Sequence, residues 1–450
     1  MDFSPELEAL AEFIVNTDWE DLPKSVISET KRLILDSVGC AFTGLSVDPG
    51  KMIVALAKRL GGPPESSIIG TGHKASLLAA VLANGQLINA TDYDAFVAGH
   101  GAPYLIPPPL NAAEIAESSG KDLILATAVA CEVATRVNNA VSSPAAFMAE
   151  RVGSAYMNFG AAAGVCKIFE FDRAKIINAL GIAGHAAQVL TWRHHNYMKR
   201  GYYPKYGLPG WQNTGAVMAA LLAEMGYIGD PYVFDPEHGF WKFSGYSQWK
   251  PKEITENLGK IWKFPETVKF KRYMCCGVVS VAVDGFYDIA EKENLSPEDI
   301  TAVRVYKAAA VKDQVMFGNT NIRNIVDAQF SIPYNISLAA YKVPKNAWQH
   351  INTMRDPRIQ EFMKKVTVIG EFEGSKGRGL PTKVEVDACG ETFIRETLVP
   401  RPMDDYELEM KFRQNAAIML TEPKIENAVS AISNLENLKN IKELIKQITL

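Results

Sequence analysis

Lys383-Val384-Glu385-Val386-Asp387 sets apolar against charged side chains residue by residue, the period of a strand that buries one face and wets the other. Val303-Arg304-Val305-Tyr306 and Val366-Thr367-Val368-Ile369 do the same, with helical runs between them. Residues 266–402 therefore read as a small α+β domain. The period changes on both sides. Towards the N-terminus, as far as about Trp262, apolar residues recur at steps of three and four: Val26, Ile27, Leu33, Ile34, Val38 and Ala41 follow Pro23, which sits where a helix can begin. Leu77 to Ile88, Leu123 to Val133, Tyr156 to Ile168, Ile176 to Leu190 and Thr214 to Met225 repeat the pattern and are rich in Ala and Gly. Small residues at helical spacing let helices approach closely, so residues 1–265 are expected to form a tightly packed helical domain. The Tyr104-Leu105-Ile106-Pro107-Pro108-Pro109 segment marks a rigid helix start. Beyond Tyr406 the helical period returns through Ile432 and Leu444, and residues 403–450 are expected to pack back on the first domain. The fold class is mainly α.

A chain of 450 residues exceeds what one core holds, and at ~150 residues per domain it predicts two or three. Hydrophobic residues at 47% and charged residues at 22% are the balance of an ordinary globular protein. The net charge of −4 is spread without basic blocks, which argues against nucleic acid as a partner. The start, Met1-Asp2-Phe3-Ser4-Pro5-Glu6-Leu7-Glu8, is acidic where a targeting leader is basic. The apolar run Leu123 to Ala134 is broken by Glu132, well short of the ~20 residues that span a bilayer. A cytoplasmic protein with no membrane partner is expected. Six cysteines are sparse, and four lie inside apolar runs as small buried hydrophobes, so reduced thiols fit. There is no Walker A loop, no His-Glu-x-x-His and no Cys-x-x-Cys, and Gly70-Thr71-Gly72 lacks the third glycine of a dinucleotide fingerprint and reads as a turn. The expected cofactor complement is none, organic or metal. Cys275-Cys276 reads as packing, and His194-His195 as a surface or supporting pair.

Three segments place titratable groups in turns. Asn84 to Asp94 ends a helix with Thr91-Asp92-Tyr93-Asp94 and is followed by His100-Gly101-Ala102-Pro103. A carboxylate and an imidazole at the mouth of two helices can tune one another as an acid/base pair, while the plainer reading is helix capping by Asp92 or Asp94. Lys205-Tyr206-Gly207-Leu208-Pro209-Gly210 sets a lysine before a helix N-terminus, where burial and the helix dipole both lower its pKa and leave it a base or a carboxylate anchor. Asp327 to Tyr334 carries a tyrosine just after a proline. His100 and Lys205 lie at turns, where a scaffold places side chains without burying them, so truncating either is expected to cost little stability.

In order and wording these segments resemble the MmgE/PrpD family of 2-methylcitrate dehydratases, cis-aconitate decarboxylases and iminodisuccinate epimerases. Supporting matches run along most of the chain: Arg32-Leu-Ile-Leu-Asp-Ser-Val-Gly39, Leu82-Ala-Asn-Gly85, Gly120-Lys-Asp-Leu-Ile-Leu-Ala126, Asn178-Ala-Leu-Gly-Ile-Ala-Gly184, Lys271-Arg-Tyr-Met-Cys-Cys-Gly277, Gln329-Phe-Ser-Ile-Pro-Tyr334 and Glu409-Met-Lys-Phe412. The resemblance implies a large all-helical domain built from both chain ends, an inserted α+β lid, a homodimer, and catalysis without cofactor in the cleft between domains. It also implies active-site roles for Asp92, His100, Lys205 and Tyr334, with Lys271 close by. Many relatives carry a histidine where this chain has Ser280, another near the place of Arg151, and His-Pro where it reads His100-Gly101.

The expected substrate is a small di- or tricarboxylic acid of the 2-methylcitrate kind, anchored by Arg151, Lys205 and Lys271 with Ser280 beside them. One of His100 and Lys205 removes the α-proton, the other or Tyr334 protonates the leaving hydroxyl, and Asp92 orients His100. That sequence is a dehydration. Loss of carbon dioxide in place of hydroxide makes it a decarboxylation, and return of the proton to the opposite face an epimerisation. A homologue that binds carboxylates without turnover is the alternative from another class.

Overall fold

The computed structural model describes residues 3–141, 154–186, 201–205, 207–307, 315–370, 381–397 and 399–450. Its N-terminal half is helical: α1 (Pro5–Asn16), α2 (Lys24–Ser46), α3 (Asp48–Leu60), α4 (Leu77–Asn89), α5 (Ala102–Leu105), α6 (Pro107–Ile115), α7 (Gly120–Val141), α8 (Met157–Ile168), α9 (Arg173–His185) and α10 (Pro209–Glu224). The expected helices match these to within one residue, Tyr156 and Met225 being the caps of α8 and α10, except that the Ile176 to Leu190 run outlasts α9, which ends at His185, and its residues 187–190 lie outside the described residues. Pro107 to Pro109 do open α6, because a proline in the first turn gives up no hydrogen bond.

Close approach in this half depends on missing side chains. A Cβ on Gly210 would sit 2.0 Å from the Leu82 carbonyl oxygen, and one on Gly85 would sit 2.9 Å from the Gly210 backbone. The start of α10 thus rests directly on α4, and the Gly210 N–H donates to Gln86 Oε1 at 3.2 Å. This contact brings the Lys205 turn over the end of α4.

Between α10 and α11 (Gly277–Lys292) the chain is mostly turns with single-turn helices. The helical period extrapolated to Trp262 therefore overreaches. Gly226, Gly229, Gly239, Gly245 and Gly259, with Pro231, Pro251 and Pro265, break the ladder throughout this stretch.

The sheet follows α11. A two-stranded ladder, β1 (Ser66–Ser67) with β2 (Lys74–Ala75), lies back in the helical half; the main sheet is β3 (Ile300–Lys307), β4 (Val366–Gly370), β5 (Thr382–Ala388) and β6 (Glu391–Thr397) in the order β4-β3-β5-β6. β3 and β4 run parallel, and the β3/β5 and β5/β6 pairs are antiparallel, with Val305 opposite Val384 and Arg304 opposite Glu385. Val303, Val305, Val384 and Val386 are fully buried on one face, which packs on α11. Arg304 pairs with Glu385 and Asp387 on the other. The alternation thus reads out as expected. Helices α12 (Ile325–Phe330) and α13 (Ile332–Ala340) precede β4, and α14 (Asp405–Ala416), α15 (Glu422–Ser433) and the short α16 (Lys442–Gln447) follow the sheet.

Helix α14 packs against α2. Its N-terminus carries a capping box, with Asp404 accepting from the Glu407 N–H at 2.8 Å and Glu407 accepting from the Asp404 N–H at 3.2 Å, an arrangement that contributes about 1 kcal/mol. Phe412 lies against Gly39 of α2, where a Cβ would be 3.2 Å from its ring. Among the described residues no single helix is long and apolar enough to cross a membrane.

Candidate active site

Helix α4 ends at Asn89, and the chain turns through Asp92 with φ 55°, a left-handed conformation that aspartate tolerates better than most residues. The turn points the carboxylate inward. Lys271 Nζ donates to Asp92 Oδ1 at 3.0 Å and to the Asp92 carbonyl at 2.8 Å. Lys205 Nζ approaches the same Oδ1 at 3.7 Å and donates to the Asn89 carbonyl at 2.7 Å. Lys205 itself has φ 41°, a strain of roughly 1–3 kcal/mol for such a side chain. Asp92 caps no helix, so its plainer reading is set aside.

Phe96 links this pair of lysines to the histidine. Its ring lies 4.4 Å from the His100 ring and 5.0 Å from Lys271 Nζ, centroid distances that fit ring packing and a cation–π contact. The loop carrying His100 is pinned by Tyr156, whose hydroxyl donates to the Ala98 carbonyl at 2.9 Å. Asp92, His100, Lys205 and Lys271 are thus brought together from three distant parts of the sequence. All four are buried, Lys205 to 2% and His100 to 5% exposure. The premise that neither Lys205 nor His100 is buried, from which a small stability cost of truncation follows, is overturned.

Asp94 is the member that sequence reasoning passed over. It is fully buried; Asn89 Nδ2 donates to its Oδ1 at 3.3 Å, and its Oδ2 has no hydrogen-bond partner among the described residues. The two carboxylates are driven apart. Burial raises the Asp92 pKa, but Lys271, Lys205 and His100 outweigh it and hold the group at about 2. For Asp94, burial and the Asp92 charge outweigh Lys271 and Lys205 and push it up to about 6. Burial also lowers Lys205, against the pull of Asp92 and Asp94, whereas for Lys271 the same burial is overcome by those carboxylates and its pKa rises. The predicted direction for Lys205 is right, and burial, one of the two causes expected, is the largest. Two neighbouring acids with separated pKa values, facing two cations, can hold one proton and one carboxylate at and below about pH 6, and Asp94 can take up and release a proton close to neutrality.

Tyr334 is not brought to this cluster. It lies in α13, and its hydroxyl donates to the Trp348 carbonyl at 2.6 Å, which uses its single proton. Its contribution is indirect. Trp348 stacks on Tyr273 at 5.4 Å, and the adjacent Gln349 donates to the carbonyls of Thr91 and Met274 at 2.7 and 2.8 Å. Ser280 is likewise turned aside: its hydroxyl meets Cys275 Sγ and the Cys276 carbonyl, both at 3.4 Å. Arg151 and His194-His195 lie outside the described residues. Among the described residues no group of three or more His, Cys, Asp and Glu is arranged to hold a metal ion.

Comparison with known proteins gives the cluster its context. A cis-aconitate decarboxylase of Aspergillus terreus (strain NIH 2624 / FGSC A1156) is 24% identical over 445 residues, covering 91% of this chain and 89% of that protein. A cis-aconitate decarboxylase of Mus musculus is 23% identical over 459 residues, covering 94% and 89%. One of Homo sapiens is 27% identical over 267 residues, covering 56% and 53%. The family model of the MmgE/PrpD N-terminal domain matches residues 8–252, and that of the C-terminal domain matches residues 273–437. With both halves matched in order along most of its length, the chain belongs to the MmgE/PrpD family.

Proposed function

We propose that the protein is a lyase that uses only its own side chains to act at a carbon next to a carboxylate in a small di- or tricarboxylic acid. The observation that carries this reading is the buried set of Lys205 and Lys271 around the unequal acids Asp92 and Asp94. The lysines attract the substrate carboxylate and the negative charge that develops beside it. Asp92 stays ionised and holds both lysines in place. Asp94, His100 and Lys205 supply or remove the proton.

Decarboxylation of a cis-aconitate-like acid is the first reaction to test, because relatives matched over nearly their whole length carry that name. Loss of carbon dioxide leaves an electron pair on carbon, which the cations stabilise and a neighbouring acid protonates. Dehydration of a 2-methylcitrate-like acid is the second reading. It is favoured by Asp94, whose pKa near 6 suits an acid that protonates a leaving hydroxyl. Incubation with each acid, followed by proton NMR, separates the two: carbon dioxide loss, water loss or solvent deuterium exchange identifies the reaction. Absence of all three, together with ligand-induced stabilisation, would mark a binding protein instead. We propose a homodimer in the cytoplasm as the working form, and a monomer mass at every concentration in light scattering would refute the assembly.

A further inference from the structure

Two of the motifs that match the family contribute residues the cluster does not use. Asp36 belongs to the Arg32 to Gly39 segment of α2, and Lys411 to the Glu409 to Phe412 segment of α14. They meet in a buried ion pair at 2.7 Å, with side-chain exposures of 0% and 3%. The pair is built into the backbone that carries the site. Lys411 Nζ also donates to the Tyr93 carbonyl at 2.8 Å and to the Lys271 carbonyl at 3.0 Å, and it lies 3.7 Å from the centre of the Tyr93 ring. Asp36 Oδ2 accepts the Ala95 N–H at 3.0 Å. One turn earlier on α14, Glu407 takes Arg272 in a two-point contact at 2.5 and 3.0 Å.

We propose that Asp36 and Lys411 are positioning residues for catalysis: their ion pair clamps the backbone on both sides of Asp94 and that of Lys271, so that acid and cation keep one fixed separation. A three-donor ammonium is suited to this task, because it satisfies a carboxylate and two carbonyls from different segments at once. Tyr93 and Ala95 flank Asp94 directly, which leaves its side chain little freedom to drift. Neither Asp36 nor Lys411 touches the reacting groups by its own side chain. The inference rests on the reading of Asp92, Asp94, Lys205 and Lys271 as the acid/base cluster.

Asp36→Asn keeps the shape but cannot accept from both Lys411 and the Ala95 N–H, since one of its two positions becomes a donor. The double variant Asp36→Asn/Lys411→Met removes both charges together and avoids a lone buried ion. Each is compared with the wild type by steady-state kinetics on whichever acid the wild type turns over, and by hydrogen exchange of the Thr91–Ala95 amides. A displacement near 1 Å costs up to about a hundredfold in rate. The expected result is kcat lower by at least about tenfold with KM within about threefold, and exchange at Thr91–Ala95 faster by at least about tenfold, while α7 exchanges as before. Unchanged exchange in either folded variant overturns the clamp, as does faster exchange with normal kcat. Should the double variant not fold, Asp36→Asn decides by the same two readouts. Absence of wild-type turnover on every acid refutes the proposed function instead, and the exchange result then still decides whether the clamp exists.

Discussion

Asp94→Asn separates stability from activity. The wild-type carboxyl has its pKa raised from 3.8 to about 6 by burial and by Asp92, so the folded protein favours the protonated form. The cost of ionising it is absent below pH ~4, grows as the pH rises towards 6, and is complete above roughly pH 7. A shift of this size corresponds to ~3 kcal/mol at about 1.4 kcal/mol per pH unit. Asparagine has the same shape and never ionises. The variant should therefore unfold at a higher temperature than the wild type at pH 7.5, and exceed it by only about a third as much in stability at pH 4.5, as scanning calorimetry at the two pH values would record. Turnover should move the opposite way. If Asp94 carries the proton, kcat falls by about 10²–10⁴-fold and the limb of its pH profile near 6 disappears. Equal loss of stability at both pH values would mean that the raised pKa is not what governs this site. A wild-type pH–rate profile in the variant would remove Asp94 from the chemistry.

Lys205→Ala and His100→Ala should each lower kcat by at least about a hundredfold, and a change confined to KM would assign them to carboxylate binding alone. Lys271→Met should destabilise more than Lys205→Met in chemical denaturation, because it removes the 3.0 Å partner of Asp92 where the other removes one at 3.7 Å; stranding a buried charge costs about 3–5 kcal/mol. Asp92 is held near 2, below its ordinary 3.8, so the stability it contributes is present above pH ~4 and lost as the pH falls towards 2, and Lys271→Met should lose that acid-sensitive part. Activity should survive prolonged treatment with EDTA, and its loss with recovery on adding one metal would refute catalysis by side chains alone.

Sequence period reveals elements whose two faces differ in environment. It finds β3 and β5, where buried valines alternate with Arg304, Glu385 and Asp387. It misses β6, an edge strand with Glu391, Arg395 and Glu396 and little burial on either face. Position in the chain told less about the site. Nothing in local spacing joins Asp92 to Lys271, 179 residues away; the resemblance supplied that neighbourhood, and the geometry supplied the contact. Asp94 looked like a cap because a helix ends just before it, and only its burial beside Asp92 marks it as an acid. Tyr334 was attractive for its hydroxyl, but the nearby Trp348 carbonyl takes that proton. The signal for Asp36 and Lys411 was present as charges inside otherwise apolar helical faces, a pattern that points to a buried partner without naming it.

The partners Asp36 and Lys411 stand 375 residues apart. A ribosome adding ~5–20 residues per second needs roughly 20–75 s to cover that distance. Through that interval α2 is already made, yet its inward carboxylate has no ammonium and the hollow at Gly39 has no Phe412. The part synthesised first is therefore completed by the part synthesised last. Contacts of such long span make folding slow, and a nascent chain halted before α14 would carry every residue of the acid/base cluster while lacking the helix that closes over α2.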